Sequence, residues 1–171
     1  MSELPTDYLT LAARAAKHKA EQRQQARRRF YADRAAKGAG EPSLTIHQML
    51  SEMGAPWRWY GITPMPAPRQ VKSDRWKPRE MVVAYRQFRD ECLSFGMQLP
   101  DEPRLLFAMP MPASWSDAKK RRMEGQPHQV KPDLDNLIKA VLDAVEKRDQ
   151  KIASLQAWKV YSRNPGVAVI S

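Results

Sequence analysis

The stretch from Pro132 to Glu146 constrains this chain more than any other. At about 100° per residue, Leu134, Leu137, Ile138, Val141, Leu142 and Val145 fall on one side of a helix, and Asp135, Asn136, Lys139, Asp143 and Glu146 on the other. The spacing predicts a helix of about three turns, whose apolar face must be buried against a second layer. Asp133 follows a proline and directly precedes the periodic run, where an N-cap belongs. The carboxylates of Asp133 and Asp135 therefore share one helix end.

That arrangement carries two readings. Two neighbouring carboxylates repel unless a cation lies between them, and Mg²⁺ needs only one or two protein carboxylates beside water and phosphate. Equally, Asp-x-Asp at a helix start serves as a cap and dipole partner, and Asp135, Lys139 and Asp143 at i, i+4 and i+8 form an ordinary salt-bridged face. The pattern alone leaves both open. The surroundings favour the metal site: a basic chain, an adjoining Lys/Arg block, and a further aspartate, Asp149, just past the helix.

The basic character is strong. Across 171 residues, 29 Lys+Arg stand against 19 Asp+Glu, a formal net charge of +10, which calls for a polyanionic partner. Nucleic acid fits better than a membrane surface, which would require an amphipathic basic helix with large apolar residues opposite. The single cysteine, Cys92, excludes an intramolecular disulfide framework and a cysteine zinc cluster. His18, His47 and His128 show no metal-ligand spacing. With no leader or membrane-spanning run in the sequence, a cytoplasmic protein is expected.

Residues 6–37 are rich in Ala, Arg, Lys and Gln, and between Arg14 and Lys37 nine Lys/Arg face only Glu21 and Asp33. A helix there has little to bury, so it reads either as a basic arm along DNA phosphates or as a solvated extension. Gly38 to Pro42 reads as a linker. Thr45 and Gln48 fit a capping box for a small helix with Ile46, Met49, Leu50 and Met53 on one stripe.

A strand is expected over 58–63, stopped by Pro64, Pro66 and Pro68. The basic stretch that follows, with Arg69, Lys72, Arg75 and Lys77, is interleaved with Trp76, which suits phosphate contact with stacking or else merely anchors the loop. A helix then runs to about Phe95, and a strand over 104–109. The segment Ser114 to Val130 is expected to be a long polar loop carrying Lys119, Lys120, Arg121 and Arg122, a DNA-binding candidate. His128, Asn136 and Asp143 are auxiliary site candidates. Strands over 151–162 and 167–170, joined by an Asn164-Pro-Gly turn, complete an α/β domain. The expected architecture is a small mixed sheet of about four strands with two helices on one face, over residues 58–171, and residues 1–57 are expected to be a basic helical extension and linker.

The string Asp133-Leu-Asp135-Asn136-Leu-Ile-Lys139, followed by Asp143, Asp149, Ile152 and Lys159, resembles the RusA family of Holliday junction resolvases in its phage and prophage form. Ile62-Thr-Pro-Met-Pro-Ala-Pro68, Met109-Pro-Met-Pro-Ala-Ser-Trp-Ser116 and Gly125-Gln-Pro-His128 support it. Where the family usually carries an acidic pair, this chain has Arg148-Asp149. The resemblance implies a Mg²⁺-dependent endonuclease acting on branched DNA as a homodimer, with Asp133, Asp135 and Asp149 holding metal and Lys139 near the scissile phosphate. A different preferred branch structure, or a non-catalytic protein that binds branched or duplex DNA, would share the same basic surface.

Overall fold

The computed structural model describes residues 40–69, 71–76, 79–145 and 152–171. Strands β1 (Trp57–Tyr60), β2 (Arg104–Pro110), β3 (Gln156–Ser162) and β4 (Gly166–Ile170) form one mixed sheet in the order β1-β4-β2-β3. β2 and β3 are parallel, and β4 runs antiparallel to both β1 and β2. The parallel pair needs a long crossover, and residues 111–155 supply it.

On one face of the sheet lie helices α2 (Glu80–Ser94) and α4 (Leu134–Val145). Tyr85, Phe88 and Cys92 from α2 and Leu137, Ala140, Val141 and Ala144 from α4 pack on Leu105, Phe107, Met109, Val167 and Val169. This is the two-helix layer expected from the sequence. The opposite face is also covered. Helix α1 (Leu44–Glu52) buries Ile46 and Leu50 completely against Leu106, Val160, Ala168 and Ile170. Each such side chain stabilises the fold by about 1.5–3 kcal/mol. Burial on both faces explains the unbroken apolar runs Leu105–Met109 and Val167–Ile170, where a half-exposed strand would alternate.

Several local expectations shift. The cap of α1 is Ser43, not Thr45: its hydroxyl accepts from the Ile46 N–H at 3.4 Å and donates to Glu124 at 2.5 Å, a tertiary contact that local propensity does not contain. β3 begins at Gln156, five residues later than expected, where the chain meets Pro103 and the parallel ladder starts. The polar segment after β2 is not all loop. Asp117–Met123 forms a short helix, α3, started by the Ser116 side chain accepting from the Lys119 N–H at 3.3 Å. It buries no residue, so no apolar periodicity announced it.

Gly166 opens β4 and does not serve as a turn residue. A Cβ there would overlap the Trp59 ring, so the glycine lets the indole lie across the strand. The same indole donates to the Gly40 carbonyl at 2.7 Å.

Candidate active site

Strand β3 lies at one edge of the sheet, and the segment between α3 and α4 runs along its open side. Glu124 accepts from the Ser162 hydroxyl at 2.8 Å and the Arg163 N–H at 2.9 Å. The Gly125 N–H donates to the Tyr161 carbonyl, the Tyr161 N–H to the Gln126 carbonyl, and the His128 N–H to the Lys159 carbonyl, all at 2.9 Å. Farther along, the Lys159 ammonium donates to the carbonyls of Val130, at 2.8 Å, and Pro132, at 2.5 Å. The strap is thus tied to β3 as far as the residue before Asp133.

Asp133 then begins the helix. Its carbonyl accepts from the Leu137 N–H at 3.3 Å, while its exposed carboxylate makes no hydrogen bond or ion pair among the described residues. Asp135, in the first turn, is likewise exposed and unpartnered among them. Lys139 turns away from Asp135 to Asp143, one turn on, at 3.2 Å. Asp143 also accepts from the Tyr85 hydroxyl at 3.4 Å. Burial, reinforced by the Asp143 charge, pushes that phenol up to about 12, so Tyr85 remains a donor.

These interactions divide the two readings of the acidic face. Its far half is a salt-bridged surface, with Lys139 and Asp143 as the pair. Its near half is not: Asp133 accepts no capping N–H through its side chain, and the cation at i+4 from Asp135, Lys139, is engaged with Asp143 instead. Two oxygen donors at the positive end of a helix dipole match what Mg²⁺ takes from protein when water and phosphate complete the shell. Among the described residues no three His, Cys, Asp or Glu gather as a ligand set. Asp149 lies outside those residues, as does Lys77.

The proline string after β1 reaches the same helix end. The Ala67 N–H donates to the Asn136 carbonyl at 3.2 Å, which leads the chain from the first turn of α4 into the basic loop. Asp74 builds that loop. It is 3% exposed and accepts from the Val71 N–H at 2.9 Å, from Arg79 Nε at 3.0 Å and from Arg79 Nη2 at 2.9 Å. The Arg79 guanidinium holds the Asp74 carboxyl well below the usual carboxylate range and also donates to the Arg69 carbonyl at 2.7 Å. Arg69, Lys72 and Arg75 are left facing solvent.

Lys119, Lys120, Arg121 and Arg122 ride on α3, with the Lys119 ammonium 4.2 Å from the Trp115 ring centroid. α3 is tied through Arg163 to the end of β3, by a hydrogen bond to the Asp117 carbonyl at 3.0 Å and an ion pair at 3.6 Å. Arg163 is four residues beyond Lys159, about 13 Å along an extended chain, so this block flanks the carboxylates at a distance. His128 is buried, its ring 4.4 Å from that of Tyr161, and its Nδ1 has no partner. Burial first, then the Lys159 charge, pushes its pKa down, so it is a neutral ring inside the strap.

No local sequence pattern marks Asp74, Arg79 and Glu124 as loop builders, and Lys159 stands out in the sequence only through its place in the resemblance. A lysine in an edge strand reads as solvated. Only the fold shows which carbonyls it meets.

The sequence profile of endodeoxyribonuclease RusA matches residues 62–170. The chain belongs to the RusA family. The uncharacterized protein YqaN of Bacillus subtilis (strain 168) is 36% identical over 108 residues, covering 58% of this chain and 73% of YqaN. No solved structure matches. The RusA span holds the strap, the whole of α4 and both basic groups, while α1 precedes it. Among the described residues no helix is long and apolar enough to cross a membrane.

Proposed function

We propose that this RusA-family endodeoxyribonuclease resolves four-way DNA junctions in recombination and repair by Mg²⁺-dependent phosphodiester hydrolysis, with Asp133, Asp135 and Asp149 as metal ligands. The observation that carries this reading is the pair of exposed carboxylates at the start of α4 that have no partner among the described residues. Carboxylates meant only to stabilise a helix would be expected to hold an N–H or a cation, as Asp143 does.

A divalent ion bound there supplies Lewis-acid stabilisation of charge on the phosphate oxygens. The chain's own groups do the rest. Lys139 exchanges its exposed ion pair with Asp143, worth about 0–1 kcal/mol, for a non-bridging oxygen of the scissile phosphate. Its charge there favours the transition state over the ground state. Asn136 holds the proline string through its carbonyl, and Asp143 parks the lysine between turnovers. Arg69, Lys72 and Arg75 on one side, and Lys119, Lys120, Arg121 and Arg122 on the other, bind duplex-arm phosphates and set register, and Lys77 is assigned the same role from its place in the basic sequence stretch. His128 is kept as a packing residue.

Residues 58–171, with α1 against the back of the sheet, would form the nuclease domain, and the basic segment ahead of it an added phosphate-binding arm. A four-way junction has approximate two-fold symmetry and needs paired nicks, which a C₂ homodimer supplies. The test is cleavage of a synthetic four-way junction beside a matched linear duplex, with and without Mg²⁺. Symmetric nicks near the crossover, absent without metal, are expected. Tight binding with no nicking would point to a junction-binding protein.

A further inference from the structure

Trp76 is 84% exposed, although an indole is among the side chains that gain most from burial. It does not anchor its loop, since Asp74 and Arg79 hold that segment through backbone and side-chain hydrogen bonds. The Arg75 guanidinium lies 5.5 Å from the indole centroid, within cation–π range. Beside them opens a cleft of about 610 Å³ lined by Val71, Lys72, Asp74, Arg75, Trp76 and Arg86, within the range typical of small-ligand sites. Among its described lining residues the one carboxylate is neutralised by Arg79, and they present three cations and an aromatic face. Arg86 is fixed beside it by donation to the Asp74 carbonyl at 3.4 Å.

We propose that Trp76 and Arg75 form a stacking subsite for an unpaired nucleotide, with Lys72 and Arg86 taking its phosphate. The charge selects an anion and the indole selects a planar ring, a combination that single-stranded nucleic acid satisfies. A paired base offers only its edges to a groove, so the subsite is filled by a base that has left the stack, as at a strand crossover or a single-stranded end. This rests on the chain binding DNA, but not on the metal site.

The test titrates the full-length protein with a short oligothymidylate, a fully paired duplex and a four-way junction. Trp76→Ala should weaken oligothymidylate binding about five- to a hundredfold, the range of one base–aromatic stack, and leave duplex binding and the salt slope unchanged. Trp76→Phe should keep most of the affinity while losing the fluorescence quenching that oligothymidylate produces in the parent. Equal oligothymidylate affinity in parent and Trp76→Ala, or an equal loss on paired duplex, would overturn the subsite. So would conversion of a dimer to a monomer on sedimentation, which would make Trp76 an interface residue between two copies. Wild-type junction cleavage, measured alongside, reads separately: if it is absent while the Trp76 effect holds, the nuclease reading fails and the subsite stands.

Discussion

The Lys159 ammonium donates to the Pro132 carbonyl at 2.5 Å, joining the middle of strand β3 to the residue that delivers Asp133 to its helix. With the companion bond to Val130 at 2.8 Å, one cation fixes both the height and the direction at which the first carboxylate emerges. Positioning of this kind matters because a misplacement of about 1 Å can cost on the order of a hundredfold in rate.

Lys159→Met should therefore lower junction cleavage by roughly ten- to a hundredfold and raise the Mg²⁺ concentration needed for half-maximal rate, with junction affinity nearly unchanged. Loss of two charge-assisted hydrogen bonds should also cost about 1–3 kcal/mol of stability, read from the denaturant midpoint. Parental cleavage and parental Mg²⁺ dependence in that variant would reduce Lys159 to a surface residue.

His128 predicts a pH effect with a definite sign. Its pKa in the folded chain lies below the ordinary 6.5 because the ring is buried and faces Lys159, so the unfolded state takes up the proton first as pH falls. The stability this residue contributes is complete above about 6.5 and is lost as pH drops through 6.5 toward the depressed folded value. Thermal unfolding of the parent should weaken over that window, and His128→Gln should flatten the dependence. An NMR titration should also show His128 moving upward in Lys159→Met, because one of the two causes of the depression is gone.

The arrangement of α3 makes a clean electrostatic test. The helix buries no side chain, so changing Lys119, Lys120, Arg121 and Arg122 to Gln should leave unfolding cooperative and close to parental. For every phosphate that the block neutralises in the parent complex, the log–log salt slope of duplex binding should fall by about 0.9 in the variant. A slope identical to the parent's would show that this block faces solvent in the complex.

The parts of this molecule legible in its sequence are those in which local pattern and tertiary environment agree. The face of α4 is the clearest case, because Leu137 and Val141 recur at helical spacing and are fully buried. The strands were legible as apolar runs between prolines and glycines, but the start of β3 was not, since Ile152 to Leu155 share the composition of a strand without its ladder. α3 escaped notice because a helix that buries nothing leaves no periodic trace. In the candidate site, the carboxylates were visible as a motif, whereas the Lys159 strap and the Asp74–Arg79 pair depend on hydrogen bonds across 27 and five residues. The partner of Lys139 was ambiguous for a simpler reason: aspartates stand four residues away on both sides, and only the structure shows that Asp143 takes it.

The most direct measurement of the central claim is cleavage and binding of a four-way junction by Asp135→Asn, which keeps the side chain's shape and removes one charge. Asp135 is exposed and has no partner among the described residues, so the substitution should cost at most about 1 kcal/mol of stability. If Asp135 holds the metal, cleavage falls by orders of magnitude, junction binding persists or tightens because a negative charge facing phosphate has gone, and Mg²⁺ raises the melting temperature of the variant less than that of the parent. Nicking at a near-parental rate would contradict the account and make the start of α4 an ordinary charged helix end.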